Sequence, residues 1–127
     1  MTLPQTVPSI TVAEAAAATD RGAAPDPATR PLIVDVREQN EFEQERIAGV
    51  VLLPISSFVA RHAELPKDRP LLMLCAAGSR STSATMYLLQ GGWTDVRNVT
   101  GGMTAWRQAR LPIRSGATDP GEGDLPG

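Results

Sequence analysis

Short apolar runs alternate along the chain with segments in which apolar residues recur every three or four positions. The runs are continuous rather than alternating, which is typical of strands buried on both faces of a parallel sheet. The segments between them have the periodicity of helices that cover such a sheet. The predicted strands are a short one at Ile10 and longer ones at Leu32–Val36, Val50–Leu53, Leu71–Cys75 and Val96–Val99.

Helices are predicted between these strands. Thr11 and Glu14 have capping-box spacing before an alanine-rich stretch, and serines precede a later helical segment. The predicted helices are Ala13–Ala18, Glu38–Glu45, a segment through Phe58, Val59 and Leu65 that is capped by Ser56 or Ser57, Ser81–Gln90, and a last helix opened by Gly101-Gly102. Strands and helices alternating in this way predict an α/β fold, a small parallel sheet with helices on both faces.

Composition narrows the functional classes. A chain of 127 residues suits one domain, and its net charge of -2 gives no basic footprint for nucleic acid. The apolar runs are too short for a membrane span, and Met1–Pro8 lacks the basic start and apolar core of a secretory signal, so the cytoplasm is the expected compartment. The single cysteine excludes an intramolecular disulfide and a multi-cysteine metal site.

The segment Leu71–Ser81 has the residue pattern most typical of a catalytic site. An apolar strand ends at Cys75, four small residues and Arg80 follow, and a helix begins. Small side chains let backbone N–H groups converge on one point, and the helix N-terminus and Arg80 add positive charge. A thiolate would be stabilised there, which predicts a nucleophilic sulfur. The alternative is that Cys75 is only a small core residue, since cysteine is among the most buried residue types.

The segment Cys75–Ser81 resembles the active-site loop of the rhodanese family, C-x-x-G-x-R. Other segments resemble the family's motifs in the same order, from Ser9 to about Arg114. They are Leu32–Glu38 with its D-x-R strand end, Glu41-Phe42, Ile47-Ala48-Gly49 with Leu53-Pro54, and Gly92-Trp93 through Trp106 with its glycine pair.

The resemblance implies a rhodanese-like domain at 9–114, which leaves an N-terminal extension at 1–8. The Gly, Pro and Asp content of 115–127 predicts a disordered tail there. The resemblance also implies a sulfurtransferase that moves sulfane sulfur from a donor such as thiosulfate to cyanide or a thiol, through a persulfide on Cys75. No cofactor, metal, nucleic acid or membrane partner is expected. The expected substrate-binding residues are those after the nucleophile, namely Ala76, Ala77, Gly78, Ser79, Arg80 and Ser81.

Two other function classes stay open. One is a sulfur-carrier module that takes persulfide sulfur from a partner protein and turns over small molecules poorly. The other is a non-catalytic regulatory domain, which the intact Cys75 disfavours. A phosphatase of the related type is disfavoured because its loop is C-x5-R, one residue longer than the C-x4-R between Cys75 and Arg80.

The remaining polar residues receive structural interpretations. Asp35 and Arg37 end a strand, where α/β sites gather, but a pair that ties loops together is favoured. His62 has no acidic or cysteine cluster near it in the sequence, which favours a surface role over a catalytic one. Arg46 replaces the family's usual His, and we expect it to affect the rim of the site and the choice of donor.

Overall fold

The computed structural model describes residues 7–20, 26 and 28–126, and the sheet in this part of the chain has five parallel strands. The strands are β1 (Ser9–Ile10), β2 (Leu32–Asp35), β3 (Val51–Leu52), β4 (Leu71–Leu74) and β5 (Val96–Val99). Their order across the sheet is β1-β5-β4-β2-β3, so that β4 lies in the middle. All four residues of β4 are fully buried, which explains its uninterrupted apolar sequence.

Helices cover both faces of the sheet. They are α1 (Val12–Thr19), α2 (Gln39–Gln44), α3 (Ile55–Arg61), α4 (Ser79–Gln90) and α5 (Gly102–Gln108), with a short 3-10 turn at His62–Glu64. Side chains of α3 and α4 pack into one core, and side chains of α1, α2 and α5 pack into a second core on the opposite face. The predicted α/β class, with a parallel sheet between two helical layers, is confirmed.

Two helices begin earlier than the sequence predicts. Helix α3 begins at Ile55 after Pro54, so Ser56 and Ser57 lie inside its first turn instead of capping it. The Ser56 hydroxyl donates to the Glu38 carboxylate at 2.7 Å. Helix α4 begins at Ser79, two residues before the predicted start, because the left-handed Gly78 (φ +111°) closes the loop there.

Asp35 and Arg37 form a buried ion pair behind α2. The Arg37 Nη2 atom lies 2.8 Å from the Asp35 carboxylate and also donates to the Glu45 carbonyl at 2.7 Å. One guanidinium therefore ties the end of β2 to the end of α2. This geometry supports the structural interpretation of the pair.

The segment 115–126, which we call the C-terminal segment, lies against the domain, whereas the sequence predicts a disordered tail. Its Gly123 carbonyl accepts from the Leu52 amide at 2.8 Å, on the outermost strand β3. Leu125 packs against the core. Gly- and Pro-rich composition has little local preference for order, so the contacts that place this segment come from residues elsewhere in the fold.

Arg46 supplies the main anchor for the C-terminal segment. Its side chain has 0% exposure and forms an ion pair with Glu122. Its Nη1 atom donates to the Gly116 carbonyl at 2.7 Å. The Arg46 side chain therefore faces the C-terminal segment, and its effect on the rim of the site and on the choice of donor stays a prediction.

Most of the predicted N-terminal extension lies outside the described residues, namely 1–6. The Pro8 carbonyl accepts from the Asn98 amide at 2.8 Å, so sheet pairing begins just before β1. None of the helices in the described part of the chain combines the length and the apolar character that crossing a bilayer requires.

Candidate active site

Cys75 follows β4 directly, and its sulfur faces the inside of the turn that leads to α4. The residue is 1% exposed. The Gly78 amide donates to Sγ at 3.0 Å, and the Ser81 hydroxyl lies 3.2 Å from Sγ. The amides of Ala77 and Ser81 also donate to the sulfur. Cys75 is therefore part of the core, but its sulfur lies among hydrogen-bond donors rather than among hydrocarbon side chains alone.

The peptide groups of the loop are oriented by α5. The carbonyl of Cys75 accepts from the Met103 amide at 2.9 Å, and that of Ala76 accepts from the Thr104 amide at 3.0 Å. With these carbonyls turned toward α5, the amides that follow can turn toward the sulfur. The close approach requires Gly102, because a Cβ atom there would lie 2.3 Å from the Cys75 carbonyl oxygen.

Burial and hydrogen bonding act on the Cys75 thiol in opposite directions. Burial alone would raise the pKa of Cys75 because it disfavours the charged thiolate. Hydrogen bonds from the Ser81 hydroxyl and from the amides of Ser81, Gly78 and Ala77 outweigh burial, so the pKa of Cys75 lies below its ordinary value. The loop thus increases the thiolate fraction at neutral pH.

Ser81→Ala is expected to raise the pKa of Cys75, because it removes the hydroxyl donor beside Sγ. At pH 7 the alkylation of Cys75 by iodoacetamide should slow by about three- to tenfold, in line with the loss of one hydrogen bond to a charged group. The measurement is the alkylation rate against pH, followed by intact mass. Ser83→Ala, an exposed serine on the same helix, is the matched control. An unchanged pH profile for Ser81→Ala would contradict the role given to the hydroxyl.

The Arg80 guanidinium at the edge of the loop is paired with a carboxylate. Its Nη1 and Nη2 atoms donate to the two carboxylate oxygens of Glu41 on α2, at 2.7 and 2.9 Å. The hydrogen bond from Arg80 lowers the pKa of Glu41 to about 2. The sequence predicts Arg80 as a cation of the active-site loop, and the structure adds an ionised partner to it.

The structure brings three of the six predicted substrate-binding residues to the sulfur. Ala77, Gly78 and Ser81 donate to it, Ala76 anchors the loop to α5 through its carbonyl, and Ser79 is the exposed first residue of α4. His62 lies elsewhere, beside Tyr87 and Trp93, with ring centroids 4.9 and 5.6 Å away.

Two residues that contact the loop are not predicted from the sequence. The Asn98 side-chain amide lies 2.6 Å from the Ser81 hydroxyl oxygen, and it comes from the adjacent strand β5. Glu41 belongs to a matched motif, but nothing in the sequence connects it to Arg80, which follows 39 residues later. Strand β5 has the sequence Val-Arg-Asn-Val, and a polar residue in a strand predicted to be buried is the signal that could have identified Asn98.

Comparison with known proteins identifies the family of the chain. Residues 11–109 match the sequence profile of the rhodanese-like domain. The chain belongs to the rhodanese-like domain family. The resemblance drawn from the motifs is thereby confirmed, and residues 75–80 lie within the matched range.

Relatives of this rhodanese-like chain include sulfurtransferases. A sulfurtransferase of Allochromatium vinosum is 40% identical over 82 residues, which are 65% of this chain and 77% of the relative. Thiosulfate sulfurtransferase GlpE of Vibrio cholerae is 32% identical over 83 residues, covering 65% and 78% of the two chains. The crystal structure of a rhodanese-related protein from Thermoplasma volcanium aligns with a TM-score of 0.72 and 28% identity, covering 85% of this chain and 98% of the other.

Proposed function

We propose that this protein is a sulfurtransferase that carries sulfane sulfur as a persulfide on Cys75. The observation that carries the proposal is the pair of donors at the sulfur, the Gly78 amide at 3.0 Å and the Ser81 hydroxyl at 3.2 Å. These donors favour a thiolate, which is the form that attacks sulfur. The kinship with a thiosulfate sulfurtransferase supports the same chemistry.

In the first step the Cys75 thiolate attacks the outer sulfur of a donor such as thiosulfate. A new S–S bond forms, the S–S bond of thiosulfate breaks, and sulfite leaves with the electron pair. The charge stays with the outer sulfur of the persulfide, where the donors of the loop can stabilise it. Arg80 is assigned to the sulfonate oxygens of the donor as they depart.

In the second step a thiophilic acceptor attacks the outer sulfur. Cyanide takes it as thiocyanate, or a thiol takes it as a new persulfide, and the electron pair of the S–S bond returns to Cys75 as thiolate. Donor and acceptor therefore react in turn with one sulfur, which predicts ping-pong kinetics. These steps need no electron acceptor and no metal.

The direct test incubates the protein with thiosulfate and cyanide and follows thiocyanate. A second sample with thiosulfate alone is examined by intact mass. We expect thiocyanate to accumulate and the protein without cyanide to gain the mass of one sulfur atom. If neither signal appears, the proposal fails.

A sulfur-carrier module is the second candidate. It is favoured by the charge of the loop, because the two residues after Cys75 are alanines and the Arg80 guanidinium is already paired with Glu41. A dianion such as thiosulfate would find little free positive charge there. The same assay separates the candidates, since a carrier gains the sulfur mass from a persulfide donor but shows little thiocyanate turnover.

A further inference from the structure

The ion pair between Glu41 and Arg80 joins α2 to the first turn of α4 at the edge of the active-site loop. Both terminal nitrogens of Arg80 are engaged, at 2.7 and 2.9 Å from the two carboxylate oxygens. The two side chains are 32% and 29% exposed, so the pair stands at the boundary between the loop and solvent. A donor that reaches Cys75 from solvent meets a cation with an anion beside it.

Glu41 is held in place independently of Arg80. Its Oε1 atom accepts from the Glu38 amide at 3.0 Å as part of the capping box of α2. Its own carbonyl accepts from Arg37 at 3.3 Å. The Glu38 amide thus holds the carboxylate, and Arg37 holds the backbone that carries it. If the carboxylate moved away when a ligand arrived, the Glu38 amide would be left unpaired, which is costly.

The neighbouring charges do not compensate for the loss of free positive charge. A second cation behind this edge, Arg37, is paired with Asp35 in a buried contact. Asp35 and Glu41 both act on Arg80 as attractive charges. A doubly charged donor must therefore share the Arg80 guanidinium with a fixed carboxylate and is repelled by that carboxylate.

We propose that Glu41 is a specificity-determining residue, which by occupying both terminal nitrogens of Arg80 disfavours dianionic sulfur donors relative to donors of lower charge. A persulfide carried on a thiol belongs to the favoured class, since its sulfane group bears at most one negative charge. This inference rests on the proposed sulfurtransferase function. It adds which donors that function prefers and which residue sets the preference.

Two sulfur donors that differ in charge but share the same reactive S–S bond distinguish an effect of charge from an effect on reactivity. Thiosulfate is a dianion, and methanethiosulfonate is a monoanion in which a methyl group replaces one oxygen. Attack by Cys75 breaks the same kind of S–S bond in both, releasing sulfite from the first and methanesulfinate from the second. A difference between them that depends on residue 41 therefore reports on charge.

Glu41→Gln is the variant that tests the proposal. Glutamine keeps the length of the side chain and the oxygen that accepts from Glu38, but it removes the charge. We expect kcat/KM for thiosulfate to rise about tenfold, mainly through KM, because a charge-assisted contact of Arg80 becomes available to the donor. For methanethiosulfonate the rise should be about threefold or less.

Three controls accompany this variant. Glu43→Gln makes the same charge change on the same helix, where the carboxylate accepts from Gln39 rather than from an arginine. It should leave the ratio of the two donors unchanged. Glu41→Asp, which keeps the charge, should retain the preference of the natural protein, and in an Arg80→Ala background Glu41→Gln should have no selective effect.

A fall in kcat/KM for both donors, or an equal rise for both, would overturn the proposal. If the natural protein turned over neither donor and gained no sulfur mass, the proposed function would fail instead. A measurement on the unaltered protein covers the case in which Glu41→Gln does not fold. Sulfate should protect Cys75 from iodoacetamide no better than methanesulfonate does at equal ionic strength, and much stronger protection by sulfate would contradict the role of Glu41.

Discussion

Cys75→Ser is expected to abolish both thiocyanate formation and the gain of one sulfur atom in the intact mass. A serine hydroxyl is not ionised at neutral pH and cannot hold a second sulfur as a persulfide, so turnover should fall at least about a thousandfold, to background. The chain has a single cysteine, so no other thiol can take over. The measurements are thiocyanate release and mass spectrometry after incubation with thiosulfate.

The structure indicates that a loss of activity in Cys75→Ser would come from the missing thiol and not from misfolding. Serine is slightly smaller than cysteine, and its hydroxyl can still accept from the Gly78 amide. We therefore expect the variant to unfold at nearly the same temperature as the natural protein, which a thermal melt checks. Full thiocyanate production by Cys75→Ser would show that the nucleophile is assigned wrongly.

The fold could be predicted because burial on both sides of a sheet leaves a continuous apolar signal in the sequence. Leu71–Leu74 reads as a strand for the same reason that it is fully buried in the structure. The start of α1 could be predicted from the local Thr11–Glu14 capping box, whose two hydrogen bonds are present at 3.1 and 3.0 Å. Contacts between residues that are close in the chain can be predicted from the sequence alone.

The parts of the site that escaped prediction depend on contacts between distant segments. The loop could be identified by its thiol, small residues and arginine. That Arg80 is bound to Glu41, or that Asn98 contacts the Ser81 hydroxyl, follows only once α2, α4 and β5 have been brought together. The same limit applies to the C-terminal segment. Its composition does not indicate that it contacts the buried Arg46 guanidinium.

Glu122→Ala is expected to lower the free energy of unfolding by about 3 kcal/mol, because it leaves the fully buried Arg46 guanidinium without its ionised partner. The C-terminal segment lies beyond residues 11–109 that match the family. Urea unfolding followed by circular dichroism measures the change. The matched control is Glu64→Ala, which removes the exposed partner of Arg61 and should have little effect.

The pH dependence of the difference between natural protein and Glu122→Ala gives a sharper form of this prediction. The hydrogen bond from Arg46 lowers the pKa of Glu122 in the folded state, so its contribution is present in full above the ordinary pKa of glutamate. It is lost as the pH falls through the lowered folded-state pKa, and the two proteins should converge in stability there. Replacing Arg46 by Met in the Glu122→Ala variant should recover part of the loss, since no buried charge then lacks a partner. Equal stability of Glu122→Ala and the natural protein at pH 7 would mean that the C-terminal segment does not anchor Arg46.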